Sequence, residues 1–131
     1  MGIDSYKNLI VWQKSMELVA LIYKLTDDFP KEEIYGITNQ MRRAAVSIPS
    51  NIAEGSRRGS KKDFRKFLLN SYGSGAELET QIEIGKRLQF GKVENYQKIE
   101  NLLSEVMRML NKLTSELKEP AATHYSLQTT N

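Results

Sequence analysis

The chain reads as an all-α protein: an antiparallel up-down-up-down four-helix bundle with a Pro49 kink in its second helix. Three observations predict this. Apolar residues recur at spacings of three and four over four long stretches, the period of a helix that buries one face. The stretches are of similar length, roughly 20 to 28 residues or about 30–40 Å at about 1.5 Å per residue, and short Pro- or Gly-marked connections separate them. The 131 residues suffice for one domain that buries about two-thirds of its unfolded surface. Residues 1–119 are assigned to the bundle and 120–131 to a polar tail. A coiled-coil hairpin would need a longer uninterrupted repeat than the Gly55 to Gly59 break permits.

The first helix is expected from about Asn8 to Asp28. Leu9, Trp12, Met16, Val19 and Tyr23 form one stripe, and Val11, Leu18, Ile22 and Leu25 form a second beside it. Together they are wider than the single apolar face that a bundle helix needs. Either this is the most buried helix of a monomer, or part of it meets another subunit.

The second helix follows Phe29-Pro30 and begins between Glu33 and Thr38. Its stripe, Ile37, Met41, Ala44, Ile48 and Ile52, stays in register across Pro49. A proline removes its own N–H and crowds the carbonyl four residues back, here Ala45, at a cost of ~3 kcal/mol. Continuity of the stripe therefore favours a kink over a break. Gly55, Ser56 and Gly59 are read as its end.

Ser60 followed by Asp63 matches the capping pattern that opens a third helix. Its seam is Phe64, Leu68, Ser71, Gly75, Leu78, Ile82 and Gly85. Gly73 and Gly75 each cost about 1 kcal/mol relative to alanine in a helix, so another backbone is expected to approach there. The fourth helix, Val93 to Lys118, carries Ile99, Leu103, Val106, Leu110, Leu113 and Leu117, and Pro120 stops it. The tail AATHYSLQTTN has no period and is expected to be mobile or to pack on a partner.

Composition narrows the function classes. With 40% hydrophobic and 27% charged residues the chain matches neither a membrane protein nor a disordered one. The absence of cysteine excludes disulfides and thiolate metal sites and fits a reducing compartment. No apolar run reaches the ~18–20 residues that span a bilayer, and MGIDSYKNL lacks the regions of a signal peptide. A cytoplasmic protein with no membrane contact is expected.

Catalysis finds little in the residues. The one histidine, His124, sits in the tail, and no Glu-x-x-His pair of the di-metal bundles is present. Glu79 and Glu83 share a helix face and Glu77 lies near, but no imidazole joins them, so they read as solvated charges or ion pairs. Gly73-Ser74-Gly75 continues as G-x-G-x-x-L inside a helix, whereas a dinucleotide fingerprint follows a strand. No enzyme, catalytic residue, metal or cofactor is expected.

The basic window is the candidate contact surface. Arg57, Arg58, Lys61, Lys62, Arg65 and Lys66 face one acid, Asp63, so this window is more positive than the whole chain at +3 and the remainder is net negative. It straddles the end of one helix and the start of the next, where free amide donors favour an anion. Helical spacing puts Lys61 near Arg65 and Lys62 near Lys66, a footprint suited to the phosphates of RNA or DNA. A corner kept basic for solubility has the same composition. Arg42 and Arg43 would extend the surface if they share its side.

The segment QMRRAAVSIPSNIAEGSRRGSKKDFRKFLLNSYGSGAELETQIEIGKRL, preceded by VWQKSMELVALIYKLTDDFP, closely resembles the 23S rRNA intervening sequence proteins, also labelled S23 ribosomal proteins. The resemblance runs from Leu9 to Leu117, and its core is Ser47–Gly55, Phe64–Leu68 and Gly75–Thr80. It implies a short bacterial four-helix bundle, assembled as a ring-like pentamer and encoded within insertions of the large-subunit rRNA gene. It also implies kinship with the accessory variability determinant proteins of diversity-generating retroelements, which work with a reverse transcriptase. The family brings no agreed catalytic residues. Two readings follow: a homo-oligomer that binds structured RNA through the basic corner, and a scaffold that docks a partner protein such as a reverse transcriptase without touching RNA.

Overall fold

In the computed structural model, residues 5–118 are described. Pro120, His124 and the rest of the tail lie outside the described residues. Four helices follow one another, α1 (Ile10–Thr26), α2 (Ile37–Arg57), α3 (Lys61–Arg87) and α4 (Glu94–Glu116), with 3-10 turns at Tyr6–Asn8 and Lys31–Glu33. No strand occurs among the described residues.

Of the two apolar stripes of α1, the second fills the core: Val11, Leu18, Ile22 and Leu25 are buried, joined by Ser15 and Thr26. Those two hydroxyls donate to carbonyls of their own helix, Trp12 O at 2.8 Å and Ile22 O at 2.8 Å. The other stripe stays partly in solvent, with Met16 and Tyr23 exposed. Choosing between two stripes requires knowing where the other helices stand, which local spacing does not contain.

Helix α2 runs unbroken through Pro49, which is itself buried beside Ile48 and Ile52. Polar side chains gather around the position that lost its N–H. Asn51 Nδ2 donates to Ser47 O at 2.9 Å, and Ser71 Oγ of α3 donates to Ile48 O at 2.9 Å. Gly55 does not end the helix, as expected from sequence, but lies buried inside it. A Cβ at Gly55 would sit 2.6 Å from Phe67 Cβ and 3.2 Å from Phe64 Cδ1, so this glycine sets the spacing between α2 and α3. The turn itself belongs to Gly59, whose φ of 87° favours a residue without a Cβ.

Helix α3 starts where its cap predicts, with Ser60 Oγ accepting from the Asp63 N–H at 3.1 Å. All seven seam residues are buried, together with Gln81. The two glycines differ. Gly73 has nothing within 4 Å of where its Cβ would be, so the expected close approach is absent there. At Gly75 it is the Met107 thioether that fills the space, a side chain and not a backbone. The turn into α4 uses positive φ at Gln89 (59°) and Gly91 (74°), and Tyr96 Oη donates to Phe90 O at 2.6 Å to fasten it.

Each helix packs on its neighbours in sequence, and α1 also packs on α4, which closes the ring of four. Cross-links tie the end of one helix to the start of the next, Arg42 Nε to Thr26 Oγ1 at 2.8 Å and Lys86 Nζ to Glu100 Oε2 at 2.9 Å, and the start of α3 to the end of α4, Arg65 Nε to Thr114 O at 3.0 Å. The core of Leu18, Ile22, Met41, Ile48, Leu68, Leu78, Leu103 and Leu110 runs down the centre.

Candidate nucleic-acid interface

Between Arg57 and Lys61 the chain reverses in three residues, so the bases of both helix ends are held at one corner of the bundle. Their surroundings differ. The Arg57 guanidinium lies 5.4 Å from the Tyr6 ring centroid, and Arg58 lies 4.8 Å from that of Phe67 while pairing with Glu54 Oε2 at 2.7 Å. Stacking on a ring restrains an arginine and leaves its edge donors directed outward. Lys61, Lys62 and Lys66 are exposed. Among the described residues, Arg58 alone of the six forms an ion pair with a carboxylate.

Arg65 is the exception to the expected corner. Its Nε–H donates to Thr114 O in the last turn of α4, and the side chain is half-buried, so it ties α3 to the end of α4. A carbonyl near a helix C-terminus carries partial negative charge, and a guanidinium satisfies it well.

The fold adds bases that sequence reading passed over. Lys7 follows Tyr6, the ring beneath Arg57, and Lys112 lines a groove with Asn8, Leu9 and Leu113 between the start of α1 and the end of α4. Lys118 lies just beyond α4. All three are exposed. They are distant from residues 57–66 in the chain and come to the same end only because α1 and α4 flank the corner. The acids at this end among the described residues are Glu54, Asp63 and Glu116.

Arg42 and Arg43 do not extend this surface. They lie some 14 residues from Arg57 along α2, about 21 Å at about 1.5 Å per residue, towards the opposite end. Arg42 is held by Thr26, by Asp27 Oδ1 at 3.3 Å and over the Tyr23 ring at 4.5 Å. Arg43 lines an open groove of about 700 Å³ with Tyr23, Tyr35 and Val46. Of the acids weighed above, Glu79 and Glu83 line one cleft with Arg87, whose Nε pairs with Glu83 at 3.0 Å, and Glu77 is exposed on α3.

A long bundle with a basic α2–α3 corner, built on the SIPSNIAEG helix, is the geometry on which similarity can be judged. The sequence profile of the 23S rRNA-intervening sequence proteins matches residues 7–112. The chain belongs to the 23S rRNA-intervening sequence protein family. The match to this family includes Lys7, the whole basic corner and Lys112. Among solved structures, the chain is similar to a protein of unknown function from the S23 ribosomal protein family of Bacteroides thetaiotaomicron. The TM-score is 0.71 at 26% identity, over 80% of this chain and 98% of that one. No curated protein matches the chain.

Proposed function

We propose that this intervening-sequence protein is a non-enzymatic, homo-oligomeric bundle that binds structured RNA by phosphate contacts. The contacts come from Arg57, Arg58, Lys61, Lys62 and Lys66, with Lys7 and Lys112 beside them and Arg65 holding the corner in shape. The observation that carries the reading is that Arg57, Lys61, Lys62 and Lys66 have no carboxylate partner among the described residues. Internal ion pairs would have neutralised the corner, and without them its charge is open to phosphate. The exposed outer stripe of α1 supports self-association.

Counterion release supplies the test. About five phosphate contacts give a loss in affinity on the order of a few hundred-fold between about 50 and 200 mM salt. Replacing Arg57 and Arg58 with glutamine weakens binding and makes the slope shallower by about two. A salt response that is flat, or unchanged in the double variant, overturns the reading. The competing role, a scaffold that docks a partner protein such as a reverse transcriptase, draws on Tyr35, 93% exposed beside the exposed Ile34. Purification from the native host without nuclease separates the two: RNA retained with the protein supports the first, and a protein retained without RNA supports the second.

A further inference from the structure

We infer that the basic corner selects RNA with unpaired nucleotides, in a loop or a bulge, over uninterrupted duplex. The guanidiniums of Arg57 and Arg58 are the platforms on which two unpaired bases stack. The inference rests on the RNA-binding reading above and adds which part of the RNA is recognised.

Three arginine–ring contacts occur among the described residues, and two of them are at this corner. The rings beneath are seated on the bundle. Tyr6 is half-buried in the 3-10 turn that Ser5 caps, and it meets Trp12 edge-on at 5.4 Å between ring centroids. Gln13 Nε2 holds that turn by donating to Lys7 O at 2.8 Å. Phe67 is half-buried on α3, with its Cβ beside Gly55. The two arginines are exposed, so one side of each guanidinium is turned to a ring of the protein and the other is left to solvent. Arg58 is restrained further by Glu54 Oε2 at 2.7 Å, which occupies one edge nitrogen and leaves the plane free.

A guanidinium is planar and weakly hydrated, and an unstacked base lies on it as on an aromatic ring. An ammonium is a point charge without a plane, so Lys61, Lys62 and Lys66 serve phosphates alone. The corner therefore holds two kinds of contact. Phosphate is present in every RNA, and contacts to it carry no information on the bases. A free base face exists only where the stack is broken, which is where proteins read RNA by stacking. The placement of the two platforms also counts against a duplex. Arg57 and Arg58 are consecutive, and successive side chains diverge by about 100° around a helix, so one lies over Tyr6 ahead of α1 and the other over Phe67 on α3. Bases laid on them are splayed apart, as in a loop or a bulge, and not stacked on one another.

Two synthetic RNAs with the same number of phosphates test this, a duplex interrupted by a bulge of unpaired nucleotides and a duplex without one. The parent protein is expected to bind the bulged RNA on the order of tenfold more tightly. A double variant, Arg57→Lys with Arg58→Lys, keeps both charges and removes both planes at exposed positions outside the core. It is expected to lose the preference, while its affinity for either RNA still falls steeply with salt. Equal affinity of the parent for the two RNAs overturns the inference and leaves phosphate binding standing. A lysine variant that keeps the full preference overturns it in the same way, since the planes then do not select. A parent that binds neither RNA, or binds both without salt dependence, overturns the RNA reading and this inference with it.

Discussion

At Gly55 the missing side chain is what lets α3 lie close to α2. Three of the four helical glycines, Gly55, Gly73 and Gly75, give a graded prediction from what surrounds them. Alanine at Gly55 places a Cβ 2.6 Å from Phe67 Cβ, an atom fixed to the α3 backbone, so the helices must separate. A destabilisation of about 2–3 kcal/mol is expected, at the upper end for overpacking. Alanine at Gly75 meets the Met107 thioether, which has rotatable bonds with which to withdraw, so a loss of about 1 kcal/mol is expected. Alanine at Gly73 meets nothing within 4 Å and gains helix propensity of up to about 1 kcal/mol. Denaturant midpoints should rank Gly73→Ala above the parent, then Gly75→Ala, then Gly55→Ala. A Gly55→Ala protein as stable as the parent would show that the α2–α3 spacing is not set there.

At the scale of elements, α3 was the most legible from sequence and α1 the least. The start of α3 is written in a local signal, Ser60 and Asp63, and spacing identified every position of its buried seam. In α1 two stripes competed, and only the positions of α2 and α4 decide that Val11, Leu18, Ile22 and Leu25 face inward. Gly55 was misread because glycine marks both a helix end and a close contact. Lys7, Lys112 and Lys118 were invisible for a third reason: their nearness to Arg57 is a property of topology. The α3–α4 turn is likewise tertiary, since Tyr96 reaches back to Phe90 O and lies against Gly85. Burial, and secondly the charge of Glu100, push the Tyr96 hydroxyl up to about 12. A tyrosine raised in the fold above its ordinary value near 10 adds stability in full below about pH 10 and loses it as pH climbs through about 12. Alkaline titration should therefore show Tyr96 ionising only as the α3–α4 turn opens. Early ionisation of Tyr96, near pH 10 with the fold intact, would show that the turn does not protect it.

For the whole molecule, the division of charge along the bundle separates binding from assembly. The end that holds Arg57, Lys61, Lys62 and Lys66 lies about 21 Å along α2 from Arg43, so a change at one leaves the local chemistry of the other intact. In the homo-oligomer proposed above, one RNA long enough to bridge protomers meets several basic corners, and each later contact forms at a high effective concentration. Tyr23→Glu, in the outer stripe of α1 and the same groove as Arg43, should then weaken binding to a long structured RNA by on the order of 10–100-fold while leaving a hairpin that spans a single corner within about threefold of the parent. The salt slope for the short hairpin should not change, because its phosphate contacts are the same. Arg57→Gln should act in the opposite pattern, weakening both RNAs and making both slopes shallower. Equal losses for the two RNAs with Tyr23→Glu would mean that this groove itself touches RNA, and no loss for either would mean that binding is complete on one protomer.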